Sequence, residues 1–164
     1  MLFFESAKFY TKAPMAIELI TNISKIMKKT FNTKIDGYWR EANASRLPSH
    51  SGVYFVYKCI QNPDRTLSIR QLLYIGESEN VNMRIANHEK LGDWRHCLKP
   101  KEELCFSTCP IDSSDRERIE AAYIFKHQPP CNTDSKCSFN YDCTTVNSTN
   151  MTHLLHQSFT IEKT

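Results

Sequence analysis

The sequence predicts a small α/β (α+β) domain: a three-stranded antiparallel sheet flanked by helices, in the order β-β-α-β-α, behind an N-terminal helical extension. Three observations carry this expectation. Val53-Tyr54-Phe55-Val56-Tyr57 and Leu72-Leu73-Tyr74-Ile75 are short apolar runs whose alternating side chains suit strands with one buried face. Gln61-Asn62-Pro63-Asp64-Arg65 lies between them and is rich in turn formers, so the second run returns as a hairpin. Val81, Ile85 and His88, and later Ile119, Ala122, Tyr123 and Lys126, recur at helical spacing.

The chain has 164 residues, long enough for a core of its own. Its apolar and charged fractions, 40% and 24%, are those of an ordinary globular protein. A net charge of +3 is only mildly basic, so a nucleic-acid footprint must come from local clustering. Glu5 and Lys8 interrupt the apolar start too early for a signal peptide, and no run of 18 apolar residues exists. With seven cysteines in no regular framework, the expectation is an intracellular protein, cytoplasmic or nuclear and not secreted, with reduced thiols.

Taken in order, residues 1–45 read as a helical extension and linker, 46–134 as the main domain and 135–164 as a polar tail. Ala16, Ile20, Ile23 and Met27 form a stripe that predicts a helix over 14–29. That helix either packs on the domain or serves a dimer or DNA contact through Lys25, Lys28 and Lys29. Residues 30–51 read as connection, with a turn at Asp36-Gly37. Trp39-Arg40 within it suits either packing or a base and phosphate contact. The first two strands are expected over 52–60 and 69–75, with Gly76 where the backbone turns or approaches a ligand. A helix follows over about 80–90, capped by Asn80, with Arg84 and His88 on one face. Lys90, Trp94, Arg95, His96, Lys99 and Lys101 extend this into the most cationic stretch, which suits phosphate tracking or a solvated loop. A third strand is expected over 104–109 and a helix from about Asp112 through Lys126. Glu120 sits in an apolar run of that helix, where burial demands a partner, and Arg116 is the cation four residues away. Pro129-Pro130-Cys131 must leave the helix as a rigid loop.

Gly52-Val53-Tyr54, Tyr74-Ile75-Gly76, Arg84, Glu120 and Asn132 stand in the order and at spacings that resemble the GIY-YIG nuclease family. The match covers residues 50–134. It implies a metal-dependent DNA endonuclease of restriction, repair or structure-selective type. In this resemblance Glu120 holds Mg²⁺ (with Mn²⁺ as substitute), Arg84 grips the phosphate, and Tyr74 acts as general base. Tyr54 orients the water, His88 relays protons, Asn132 supports the site, and Gly52 and Gly76 serve as structural turns. Many members carry Lys where this chain has Glu77, a residue whose charge is expected to oppose phosphate. The alternative is a catalytically silent nucleic-acid-binding module, and whether a homodimer forms is left open. Zinc is not expected, because Cys105 and Cys109 are the one close cysteine pair and no second pair completes four ligands.

Overall fold

The computed structural model describes residues 28–164. Six strands form one mixed, curled sheet: β1 (Lys29–Arg40), β2 (Gly52–Gln61), β3 (Leu67–Ser78), β4 (Glu103–Pro110), β5 (Thr144–Asn150) and β6 (Ser158–Ile161), in the spatial order β3-β2-β4-β1-β5-β6. Helices are few and short: α1 (Val81–Ala86), α2 (Leu91–His96) and α3 (Arg116–His127), with a 3-10 turn over Glu41–Arg46. This corrects the expected small three-stranded sheet. The three strands read from sequence are present, but they occupy one side of a sheet twice that size.

The additional strands come from segments read as connection and tail. β1 bridges the two halves: residues 29–35 run parallel to β5, while Asp36 to Arg40 run antiparallel to β4. β6 then pairs antiparallel with β5. In β1 and β5 the period-two pattern is hidden because several inward positions are polar, while β6 has only Phe159 and Ile161 facing inward. Thr33, Thr144 and Ser148 are all buried, beside Ile35 and Val146. Their cost is offset by hydrogen bonds: the Tyr123 hydroxyl lies 2.9 Å from the Thr33 hydroxyl and 2.7 Å from that of Ser148. The Thr144 hydroxyl donates to the Asp142 carbonyl at 2.7 Å and accepts from Arg118 Nε at 2.9 Å. Hydroxyl groups satisfied in this way can sit in a core that composition alone would not assign to them.

The helix expected over 14–29 lies, but for its last two residues, outside the described residues, and Lys29 itself opens β1. Of the helix expected over 80–90 only α1, Val81–Ala86, is helical; the chain turns over 87–90, and α2 begins at Leu91, in the stretch read as a cationic loop. Asn80 caps α1, its side chain accepting from the Met83 N–H at 3.1 Å.

The central strands bury both faces. Val53, Phe55, Tyr57 and Ile75 pack under α3 with Ile119 and Tyr123. Tyr54, Val56 and Leu73 face the other way, against Val81, Ile85 and Trp94. Opposite β2, Val56 pairs with Tyr74 but Tyr57 pairs with Leu72, so Leu73 is an extra residue. That bulge lets both Leu73 and Tyr74 join the second cluster.

Candidate active site

Tyr54, Tyr74 and His88 converge on the face covered by α1 and α2. The ring centroids of Tyr54 and Tyr74 are 6.2 Å apart, and His88 stands edge-on to both at 6.0 and 5.4 Å. His88 is buried, and its two nitrogens have separate partners. The Lys90 backbone N–H donates to Nδ1 at 3.0 Å, so the ring proton belongs on Nε2, which lies 2.9 Å from the Tyr54 hydroxyl. Burial, reinforced by the charge of Arg84, pushes His88 down to about 4, leaving it neutral at physiological pH. The Tyr54 oxygen thus accepts from His88 and keeps its own O–H free to donate.

Neither phenol is acidified. Burial raises Tyr54, with the Tyr74 charge adding to it, and Arg84 opposes. Burial also raises Tyr74, Glu120 adds to this, and Arg84 again opposes. Trp94 backs the cluster, its ring 5.1 Å from Tyr74 and 4.4 Å from His88. Lys90 also lies over Tyr74, with Nζ 5.3 Å from its ring centroid.

Arg84 projects from α1 toward the same cluster, and its fork is engaged by Glu89. Nη1 and Nη2 donate to the two carboxylate oxygens at 2.8 and 2.9 Å. Hydrogen bonding to Arg84 holds Glu89 down at about 2. Two parallel bonds to two oxygens are the geometry by which guanidinium binds phosphate as well as carboxylate. Glu89 follows Arg84 by five residues, across the end of α1, so no helical spacing marks the pair in the sequence.

Glu120 lies on α3, lining a cleft of about 380 Å³ with Glu77, Glu117, Ser135, Ser138 and Tyr141. Burial first, and the Glu77 charge second, push it up to about 7. Arg116 does not pair with it as helical spacing suggests. Its Nε instead meets Glu77 Oε2 at 2.8 Å, and Nη2 lies 3.8 Å from Glu79. The Glu77 and Arg116 atoms have no hydrogen-bond partner, so their contact is an ion pair without an aligned N–H. Glu77 is therefore paired with Arg116 while it still lines the Glu120 cleft, its side chain 27% exposed. A crowded carboxylate held near neutrality, among hydroxyl oxygens, suits a hard divalent cation that keeps most of its waters. No three His, Cys, Asp or Glu side chains converge as a ready-made metal cage among the described residues.

Asn132 is spent on the backbone. Its Oδ1 accepts from the Ile75 N–H at 2.9 Å and its Nδ2 donates to the Ile75 carbonyl at 2.8 Å. It thus acts as one more strand residue on the open edge of β3. Gly76 is opposite Tyr54, and a Cβ there would overlap the Tyr54 phenol. Gly52 is close to the neighbouring strand, where a Cβ would meet the Cys109 carbonyl.

The cationic stretch divides by exposure. Arg95, His96, Lys99 and Lys101 are exposed, with Arg95 paired to Glu41 at 2.5 Å. Trp94, read as a candidate DNA contact, is fully buried, so its indole packs against the site and faces no solvent. The long-range pairs Glu77–Arg116 and Asn132–Ile75 carried no signal in the sequence.

No protein-family model, curated protein or solved structure matches this chain. No helix among the described residues is long and apolar enough to cross a membrane.

Proposed function

We propose that the chain is a divalent-metal-dependent DNA endonuclease that hydrolyses phosphodiester bonds, as its resemblance to the GIY-YIG nucleases implies. The observation that carries this reading is the convergence of two phenols, a neutral histidine and an arginine fork, with Glu120 near enough to raise Tyr74.

In this reading Arg84 receives the non-bridging phosphate oxygens in place of Glu89, matching the charge that builds during displacement. The Tyr74 phenolate, the minor form at neutral pH, takes the proton of the attacking water and becomes the phenol. Its raised phenol is a strong base once ionised but protonated at neutral pH, so the opposing charge of Arg84 is part of its tuning. His88 donates to Tyr54, whose free O–H orients the water. Glu120 would hold Mg²⁺, or Mn²⁺ in its stead, which when bound supplies charge stabilisation at the phosphate and leaving oxygen. Asn132 is a positioning residue that steadies the strand carrying Tyr74. Exposed Arg95, His96, Lys99 and Lys101 supply the phosphate-tracking surface. A homodimer would serve double-strand cutting.

A second reading, a catalytically silent nucleic-acid-binding module, is favoured by one observation: Arg84 is already occupied by Glu89. Incubation of supercoiled plasmid, and of branched and damaged duplexes, with Mg²⁺ or Mn²⁺ separates the two. Metal-dependent nicking lost in Tyr74→Phe and Glu120→Ala supports the nuclease. Binding of all three substrates without cleavage supports the silent module.

A further inference from the structure

Two of the seven cysteines meet beside the candidate site. Cys97 caps the C-terminal end of α2 and is exposed; Cys131 lies in the loop that leaves α3 and is half-buried. Their sulfurs are 3.8 Å apart, although 34 positions separate them in the chain. Each thiol belongs to a support of Tyr74. α2 carries Trp94, which packs on both Tyr74 and His88. The Cys131 N–H donates to the Leu73 carbonyl at 3.0 Å, and the next residue, Asn132, grips Ile75. Cys59, Cys105 and Cys109 are shut inside the sheet, out of reach of an oxidant.

We propose that Cys97 and Cys131 form a reversible disulfide on exposure to a hydroperoxide, a redox modification site joining the end of α2 to the 129–132 loop. The Cys97 thiolate attacks the peroxide O–O bond. One oxygen becomes its sulfenic acid; the other leaves as hydroxide or alkoxide and takes up the proton that Cys97 released on ionising, giving water from hydrogen peroxide or an alcohol from an organic hydroperoxide. Cys131 sulfur then attacks the sulfenic sulfur and forms the S–S bond. The departing hydroxide takes the Cys131 proton and leaves as water. Two thiols have then lost two electrons to the peroxide, and a dithiol reductant returns them. Exposure makes Cys97 the first to react, while burial, helped by its bond to Cys97, pushes Cys131 up to about 11. Closing to bonding distance requires an approach of about 2 Å between a helix end and a loop.

The test is treatment of the full chain with stoichiometric hydrogen peroxide, followed by intact mass and non-reducing peptide mapping. The expected result is a loss of about 2 Da per chain, one peptide pair linking Cys97 to Cys131, and recovery of the starting mass with dithiothreitol. The link should vanish in Cys97→Ser, a change at an exposed position, and persist in Cys137→Ser and Cys143→Ser. A cross-link through Cys137 or Cys143, or oxygen retained on Cys97 without a cross-link, would overturn the proposal. Because the readout is mass and not cleavage, it stands or falls apart from the nuclease reading.

Discussion

The side-chain amide of Asn132 makes both hydrogen bonds that a neighbouring strand residue would make to Ile75, at 2.9 and 2.8 Å. It closes the open edge of β3 at the residue between Tyr74 and Gly76. Asn132→Ala leaves a buried N–H and carbonyl unpaired, a loss of about 2–3 kcal/mol. Urea unfolding should reveal that loss. In a cleavage assay the variant should retain metal dependence while its turnover falls. Wild-type stability would count against the edge-closing role.

Glu89 occupies the fork of Arg84 in the geometry of an oxyanion. Both groups face solvent in part, so the competition is modest. Glu89→Gln should tighten binding of a short DNA duplex at fixed salt by about two- to five-fold, the scale of an exposed ion pair. Fluorescence anisotropy measures it. Unchanged affinity in Glu89→Gln, beside weakened affinity in Arg84→Ala, would show that the pair does not compete with phosphate.

Glu77 was expected to repel phosphate, and on that ground Glu77→Lys should improve DNA affinity. Its contact with Arg116 predicts another outcome. Lysine there faces a guanidinium whose side chain is only 12% exposed, at a cost of about 2 kcal/mol. The chemical denaturation midpoint should therefore drop in Glu77→Lys and partly recover in Glu77→Lys/Arg116→Glu. A rise in affinity without loss of stability would restore the repulsion argument.

Glu120 gives stability a definite pH dependence. Its ordinary value is 4.5 and the folded protein pushes it up to about 7, so between these pH values the folded chain binds a proton that the unfolded chain has released. Its contribution is full below about pH 4.5 and is lost as pH rises through 7. His88 and His127 act in the opposite sense. Both are pushed down to about 4 from 6.5, so the unfolded chain takes up their protons first and stability falls as pH drops through that range. Comparing Glu120→Gln with wild type cancels the histidines. The variant's relative stability should climb by about 2–3 kcal/mol between pH 4.5 and 8. At pH 8, millimolar Mg²⁺ should raise the wild-type midpoint and leave Glu120→Gln unmoved. A flat difference across pH would refute the shifted carboxyl.

Strong local signals decided what was legible in the sequence. β2 and β3 are apolar runs parted by turn formers, Asn80 is a cap ahead of a periodic stretch, and α3 has a continuous apolar side. Each is a contest between neighbours in the chain, so periodicity reports it. Thr33, Thr144 and Ser148 follow the same alternation, but as hydroxyl residues they look solvated until Tyr123 arrives to satisfy Thr33 and Ser148, and Arg118 and the Asp142 carbonyl to satisfy Thr144. That is why β1 and β5 read as connection and tail; β6 turns only Phe159 and Ile161 inward, too few positions to display a period. Ion pairing was decided still further from the sequence. Arg116 had Glu120 within one helical turn and chose Glu77, because β3 passes alongside α3 and brings a second carboxylate to the same place. The sequence by itself determined which side chains are carried by which central strand and helix. Only the tertiary structure decided which of them meet, since a charge or hydroxyl is satisfied by the nearest partner in space, and the sheet order sets that distance.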